Sequence, residues 1–227
     1  MSDSPNKPRT RVVTAPPPAK HMRTPAQRKR VGERRFRPIA IEIGWVAYEW
    51  NRLHAELAEL FAVIVSEKRM NMPLAIWHSV PSDRTQRDML RAALEVAYST
   101  TSLNKAVYSG ARAVLDDLNS LAGRRNIALH APLIFVIDTV SSDIEIWPQA
   151  FLGNPHAREL ANKELIGEKL ASEFKWHRAN LARLADYVGS LRMAAIHPDW
   201  TLREKPPLLP REQVGRRGQR SRKKSPK

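Results

Sequence analysis

No cysteine occurs in the 227 residues, which excludes a disulfide scaffold and any thiolate metal site. Glycine numbers only nine, and the chain has no Gly-rich phosphate loop, Gly-x-Ser-x-Gly elbow or His-Glu-x-x-His motif. Phosphate-loop nucleotide chemistry and zinc hydrolysis are therefore not expected. Glu-x-x-His, which ferritin-like metal sites need on two helices, is missing as well. No apolar run approaches the roughly 18 residues that span a bilayer. Behind the basic N-terminus there is no apolar segment of a secretory signal, and Pro16-Pro17-Pro18 opposes the amphipathic helix of a transit peptide. The expectation is a soluble, cytoplasmic protein with no cofactor, no metal and no membrane partner.

Acidic residues are scarce at the two ends. Residues 1–38 carry eleven Lys and Arg against two acids, and residues 203–227 carry ten against two. The formal charge of +15 therefore resides wholly in these ends, because residues 39–202 hold 17 basic and 19 acidic side chains. Proline is concentrated there too, and aromatics are almost absent. Such segments bury too little apolar area to offset the entropy of ordering, which predicts disordered basic tails over 1–38 and 203–227. Cationic arms attract polyanions such as RNA by counterion release.

The interior is 39–202, long enough for one core. Ile41, Trp45, Tyr48, Leu53, Leu57, Leu60 and Ile64 recur at steps of three to five from Pro38, which predicts a first long helix with one buried stripe. A loop through Pro73 and Pro81 is expected next. Ser82 and Asp83 offer N-caps, with Gln86 as capping-box partner, to a second helix carrying Met89, Leu90, Ala93, Leu94 and Ala97. It should stop near Ser99-Thr100-Thr101-Ser102, where hydroxyls compete for backbone groups. A third helix runs from about Leu103 towards His130 on Val107, Ala111, Val114, Leu118, Leu121 or Ala122, and Leu129. Leu133–Ile137 and Ile144–Trp147, β-branched and turn-bounded, predict a small inserted hairpin. A fourth helix from about Pro155 carries Ile166, Leu170, Phe174, His177, Leu181, Leu184, Val188 and Leu191. Long helices with one stripe each point to an all-α fold, an antiparallel four-helix bundle.

Among polar candidates, His177 with Glu173 one turn earlier fits a core histidine bonded to that carboxylate. His54 and His156 have no partner at diagnostic spacing and are assigned to the surface. The six tryptophans, at helical spacing, are assigned to core and bundle-edge packing rather than base stacking.

One position breaks its pattern. The stripe 107, 111, 114, 118, 121, 125, 129 calls for an apolar residue at 125, and the chain has Arg125. A guanidinium on a packing face has to meet an acid, sit at the mouth of the bundle or face an anion. Five residues on is His130, about 140° around an ideal helix, with Asn126 on its own face at four. Arg125-Asn126-Ile127-Ala128-Leu129-His130 resembles the Arg-polar-x-x-x-His signature of the HEPN superfamily, four-helix-bundle proteins among which are metal-independent endoribonucleases. The likeness extends to the helical approach Leu115–Gly123. It implies RNA cleavage by 2′-hydroxyl attack, with His130 as general base or acid, Arg125 on the phosphate and Asn126 orienting either. It also implies a homodimer that joins two copies of the motif, and a toxin or antiviral role with a cognate antitoxin or inhibitor protein. The alternative is a non-catalytic helical module for protein interaction or RNA binding, in which Arg125 pairs with Asp116, Asp117 or a first-helix glutamate.

Overall fold

The computed structural model describes residues 24–66, 69–101, 103–130, 133–137, 144–148 and 168–211. They are mostly helical. α1 spans Pro25–Val65, α2 Asn71–Ser79, α3 Asp83–Thr100, α4 Lys105–His130 and α5 Glu168–Ile196, with strands β1 Leu133–Ile137 and β2 Ile144–Pro148 between α4 and α5.

α1 starts thirteen residues before Pro38. Thr24 closes a capping box with Gln27, its hydroxyl accepting from the Gln27 amide at 3.3 Å while the Gln27 side chain accepts from the Thr24 amide at 2.9 Å. Pro25 fits the first turn, where no amide donor is needed, and Pro38 is carried in the helix interior. Residues 25–38, expected to be disordered, are thus helical, and residues 1–23 lie outside the described residues.

The buried stripe of α1 also differs from the expected one. Ile39, Val46, Trp50, Leu53, Leu57 and Leu60 face the core, whereas Ile41, Trp45 and Tyr48 are exposed. The five-residue step from Tyr48 to Leu53 turns about 140°, so the proposed single stripe joined two opposite faces.

α2 occupies the expected loop. Pro73 sits in its first turn, where its missing N–H leaves no bond unmade. Its Trp77 is buried, with its ring 5.5 Å from that of Phe61. Ser82 caps α3, accepting from the Thr85 amide at 3.5 Å. Gln86 does not close a capping box with Asp83. It donates instead to the carbonyls of Trp77 and Val80, both at 3.1 Å, and ties α2 to α3. At the other end of α3, Ser99 and Thr100 donate to the Val96 carbonyl and Thr101 to that of Ala97.

Inter-helix pairs set the directions. Arg91 meets Asp116 and Arg112 meets Glu95, so α3 and α4 run antiparallel. Glu42 meets Arg178, Arg52 meets Asp186, and Glu56 and Glu59 meet Arg192, so α1 and α5 run parallel. The expected all-antiparallel order does not hold for this pair. Antiparallel neighbours follow from short connections, and α1 and α5 are the first and last of the described helices. β1 and β2 pair antiparallel with Phe135 opposite Ile146. Ile144 and Ile146 are buried, and Arg35 of α1 donates to the Ile144 carbonyl. The stretch 149–167, including the expected helix start at Pro155, lies outside the described residues. No described helix is long and apolar enough to cross a membrane.

α4 and α5 approach closely at Gly110. A Cβ there would lie 2.6 Å from the Tyr187 hydroxyl and 2.9 Å from Leu191 Cδ2. The C-terminal segment, expected to be disordered from 203, is docked as far as 211. The buried Asn180 accepts from the Leu209 amide at 2.7 Å and donates to the Trp176 carbonyl at 2.9 Å, while the Trp176 indole donates to the Leu209 carbonyl. Lys205 pairs with Asp117 and Arg211 with Glu173. Leu202, Leu208 and Leu209 pack on the core.

Two outcomes follow for stability. Gly110→Ala, although favoured by helix propensity, should destabilise by about 1–3 kcal/mol in urea unfolding through overpacking against Tyr187 and Leu191. Asn180→Ala should cost about 1–3 kcal/mol by leaving the Leu209 amide unpaired. An unshifted urea midpoint would show that the 203–211 segment does not clamp the fold.

Candidate functional site

The site grows from one indole. Trp50 lies on the core face of α1, and its Nε1–H donates to Asp83 Oδ2 at 2.9 Å. Asp83 opens α3, and one turn later Arg87 places its guanidinium 5.8 Å from the Trp50 ring centre. Arg125, from α4, sits closer, at 5.0 Å, with Nη2 3.2 Å from the same Asp83 oxygen and Nη1 donating to Asn126 Oδ1 at 2.9 Å. One turn after Trp50, His54 sets its ring 5.0 Å from the indole. Three helices therefore meet through a tryptophan carrying a cation–π contact to each of two arginines.

Arg125, which interrupts the α4 stripe, finds an acid. That acid is Asp83 and none of the expected ones. Asp116 pairs with Arg91, Asp117 with Lys205, and Glu42, Glu49, Glu56 and Glu59 with arginines of α1 and α5. Asn126 is exposed, with its oxygen turned to Arg125, and among the described residues no hydrogen bond joins it to His130. His130 is exposed at the last position of α4. It lies about 7.5 Å along the axis and about 140° around from Arg125, so within one chain the two do not share a face.

The electrostatics are unbalanced. Arg87 is only 5% exposed, and its Nε donates to Asn119 Oδ1 at 3.1 Å. Its Nη1 and the Nε of Arg125 are buried without a hydrogen-bond partner among the described residues. Burial pushes the Arg87 pKa down, against the pull of Asp83 and Asp88. Of the two guanidinium groups only Arg125 is ion-paired, with Asp83, and both have donor hydrogens left over, an arrangement suited to an anion.

His54, assigned to the surface from the sequence, is buried in this cluster with Gln86 as a hydrogen-bonding neighbour. Its pKa is lowered to about 4, by burial first and then by Arg87 and Arg125, against the opposing effect of Asp83. Trp50–His54 and Asp83–Arg87 are both pairs at one-turn spacing, a signal present in the sequence but not used. His177 is buried as expected, beside the Trp176 ring. Among the described residues no group of three or more His, Asp and Glu is placed to hold a metal. Comparison with family models, characterised proteins and solved structures gives no match.

A neutral buried histidine makes stability depend on pH. The folded pKa of about 4 lies below the ordinary 6.5, so the unfolded chain binds the proton first, and stability is lost as pH falls through this window. Between pH 6.5 and 5 the loss from this group should be roughly 1.5 kcal/mol. Urea titrations of His54→Gln should lack that component, and an identical pH slope in both proteins would remove His54 as its source.

Proposed function

We propose that the chain is a metal-independent endoribonuclease of the HEPN type, built on a four-helix bundle with an inserted hairpin and acting as a homodimer. The observation that carries this reading is Arg125. It is a guanidinium on the core stripe of α4, held by Asp83 and Trp50 with one donor unused, five residues before an exposed histidine at the helix end.

The chemistry needs a titrating group and a fixed cation. His130, in the open, takes the proton from a ribose 2′-hydroxyl, and the 2′-oxygen attacks the adjacent phosphorus. Arg125 neutralises the phosphorane, and Arg87 lends a second positive charge from behind it. The bond to the 5′-oxygen breaks as that oxygen takes up a proton, leaving a 2′,3′-cyclic phosphate and a 5′-hydroxyl end. The angular separation of Arg125 from His130 calls for a second copy, whose His130 stands across the scissile phosphate. The basic termini concentrate RNA by charge. A role as a toxin or antiviral effector restrained by an inhibitor protein fits this activity.

A second reading draws on the Asp83–Arg125 contact itself. An arginine pinned by an acid over an indole also serves as a brace between helices, which suits a non-catalytic interaction or RNA-binding module.

Cleavage of single-stranded and structured RNA in excess chelator separates the two. The wild type should release 2′,3′-cyclic ends and leave DNA intact, and His130→Ala should lose at least about 100-fold in rate with an unchanged melting temperature. Equal cleavage by His130→Ala would remove His130 from the chemistry. No cleavage by the wild-type dimer would leave the brace reading.

A further inference from the structure

α1 has a second face. Taking about 100° per residue, Ile39, Ile43, Val46, Trp50, Leu53 and Leu57 cluster around the direction of the core. Diametrically opposite lies a stripe spaced four, three, four, four and three: Arg30, Arg34, Arg37, Ile41, Trp45 and Tyr48. All six are exposed, with Ile41 at 51%, Trp45 at 45% and Tyr48 at 56%. Arg30, Arg34 and Arg37 form no ion pair with a described residue. The one acid of that turn, Glu33, pairs with Lys29.

We propose that this stripe is a binding track for single-stranded nucleic acid. An exposed row of large apolar side chains marks a contact surface, and what adjoins it identifies the partner. Three uncompensated guanidinium groups run directly into two aromatic rings along about 27 Å of one helix face. That pairing of cations with rings takes up phosphates and unstacked bases together, over a length that accommodates roughly four or more nucleotides. A protein surface complementary to the apolar half would leave the arginine half without a counter-charge.

The rings are also held in place. Trp45 and Tyr48 meet edge to face at 5.6 Å, and Arg178 of α5 lies 5.6 Å from the Trp45 ring centre while paired with Glu42 at 3.2 Å. An indole so fixed loses little rotamer freedom when a base stacks on it. Duplexes, whose bases are already stacked, gain only the charge component. The track does not depend on cleavage at the end of α4.

The test uses the full chain and fluorescently labelled oligo-uridylate of about twelve residues, 2′-O-methylated so that it resists 2′-hydroxyl attack, with the matching oligothymidylate as a second arm. Trp45→Ala/Tyr48→Ala should weaken binding at least tenfold and leave its salt dependence unchanged. Arg30→Gln/Arg34→Gln/Arg37→Gln should lower the slope of log affinity against log salt by about two. Both variants lie on an exposed face and should keep the wild-type melting temperature. The arm that binds and is lost in the variants identifies the sugar. Unchanged affinity and slope in both variants would overturn the proposal. So would variants that turn a dimer into a monomer by light scattering with oligonucleotide affinity intact, since the stripe would then belong to a second copy.

Discussion

One carboxylate joins three helices. Asp83 accepts from the Trp50 indole of α1 and faces the Arg125 guanidinium of α4 while standing in the first turn of α3. Its charge is also suited to that place, since a helix N-terminus favours an anion. Without it, Arg125 would lose its ion pair beside a second arginine and a buried imidazole, and burying unpaired charge costs several kcal/mol. His54 stays neutral chiefly through its burial, with Arg87 and Arg125 adding to the effect and Asp83 opposing it.

Local signals in the sequence were legible where one helix face decides the outcome. Val107, Ala111, Val114, Leu118 and Leu121 are buried as their spacing requires, as are Leu170, Phe174, Leu181, Leu184, Val188 and Leu191. Arg125 stood out for the same reason. Its partner did not, because Asp83 is 42 positions away and nothing local separates it from Asp116 or Asp117. The buried stripe of α1 is not legible from spacing, because a helix with apolar residues on two faces permits a path that crosses between them at a five-residue step. Pro73 and Pro81 suggested a loop, yet a proline in the first turn of a helix costs no hydrogen bond. The ends of the ordered region escape charge composition, which registers neither the Thr24 capping box nor the leucines at 208 and 209.

The positive charge is organised more finely than the composition implies. Part of the N-terminal excess stands on an ordered helix, with Arg30, Arg34 and Arg37 at fixed spacing, and part of the C-terminal excess is engaged internally through Lys205 and Arg211. The cluster beneath Trp50 adds two cations of a different kind, desolvated and fixed in direction. Mobile charges collect a polyanion from a distance, whereas fixed ones decide where its phosphates come to rest.

The parallel embrace of α1 and α5 bears on how the molecule is made. The ion pairs that tie α1 to α5 join residues far apart in the chain, Asp186 lying 134 positions after Arg52. During synthesis α1 emerges long before α5 exists, so the contacts between them wait until the later helix has been made. Long-range closure of this sort slows folding and lengthens the time in which a nascent chain can aggregate. The seam between α1 and α5 is thus a late one, stitched only after the second of the two helices has left the ribosome.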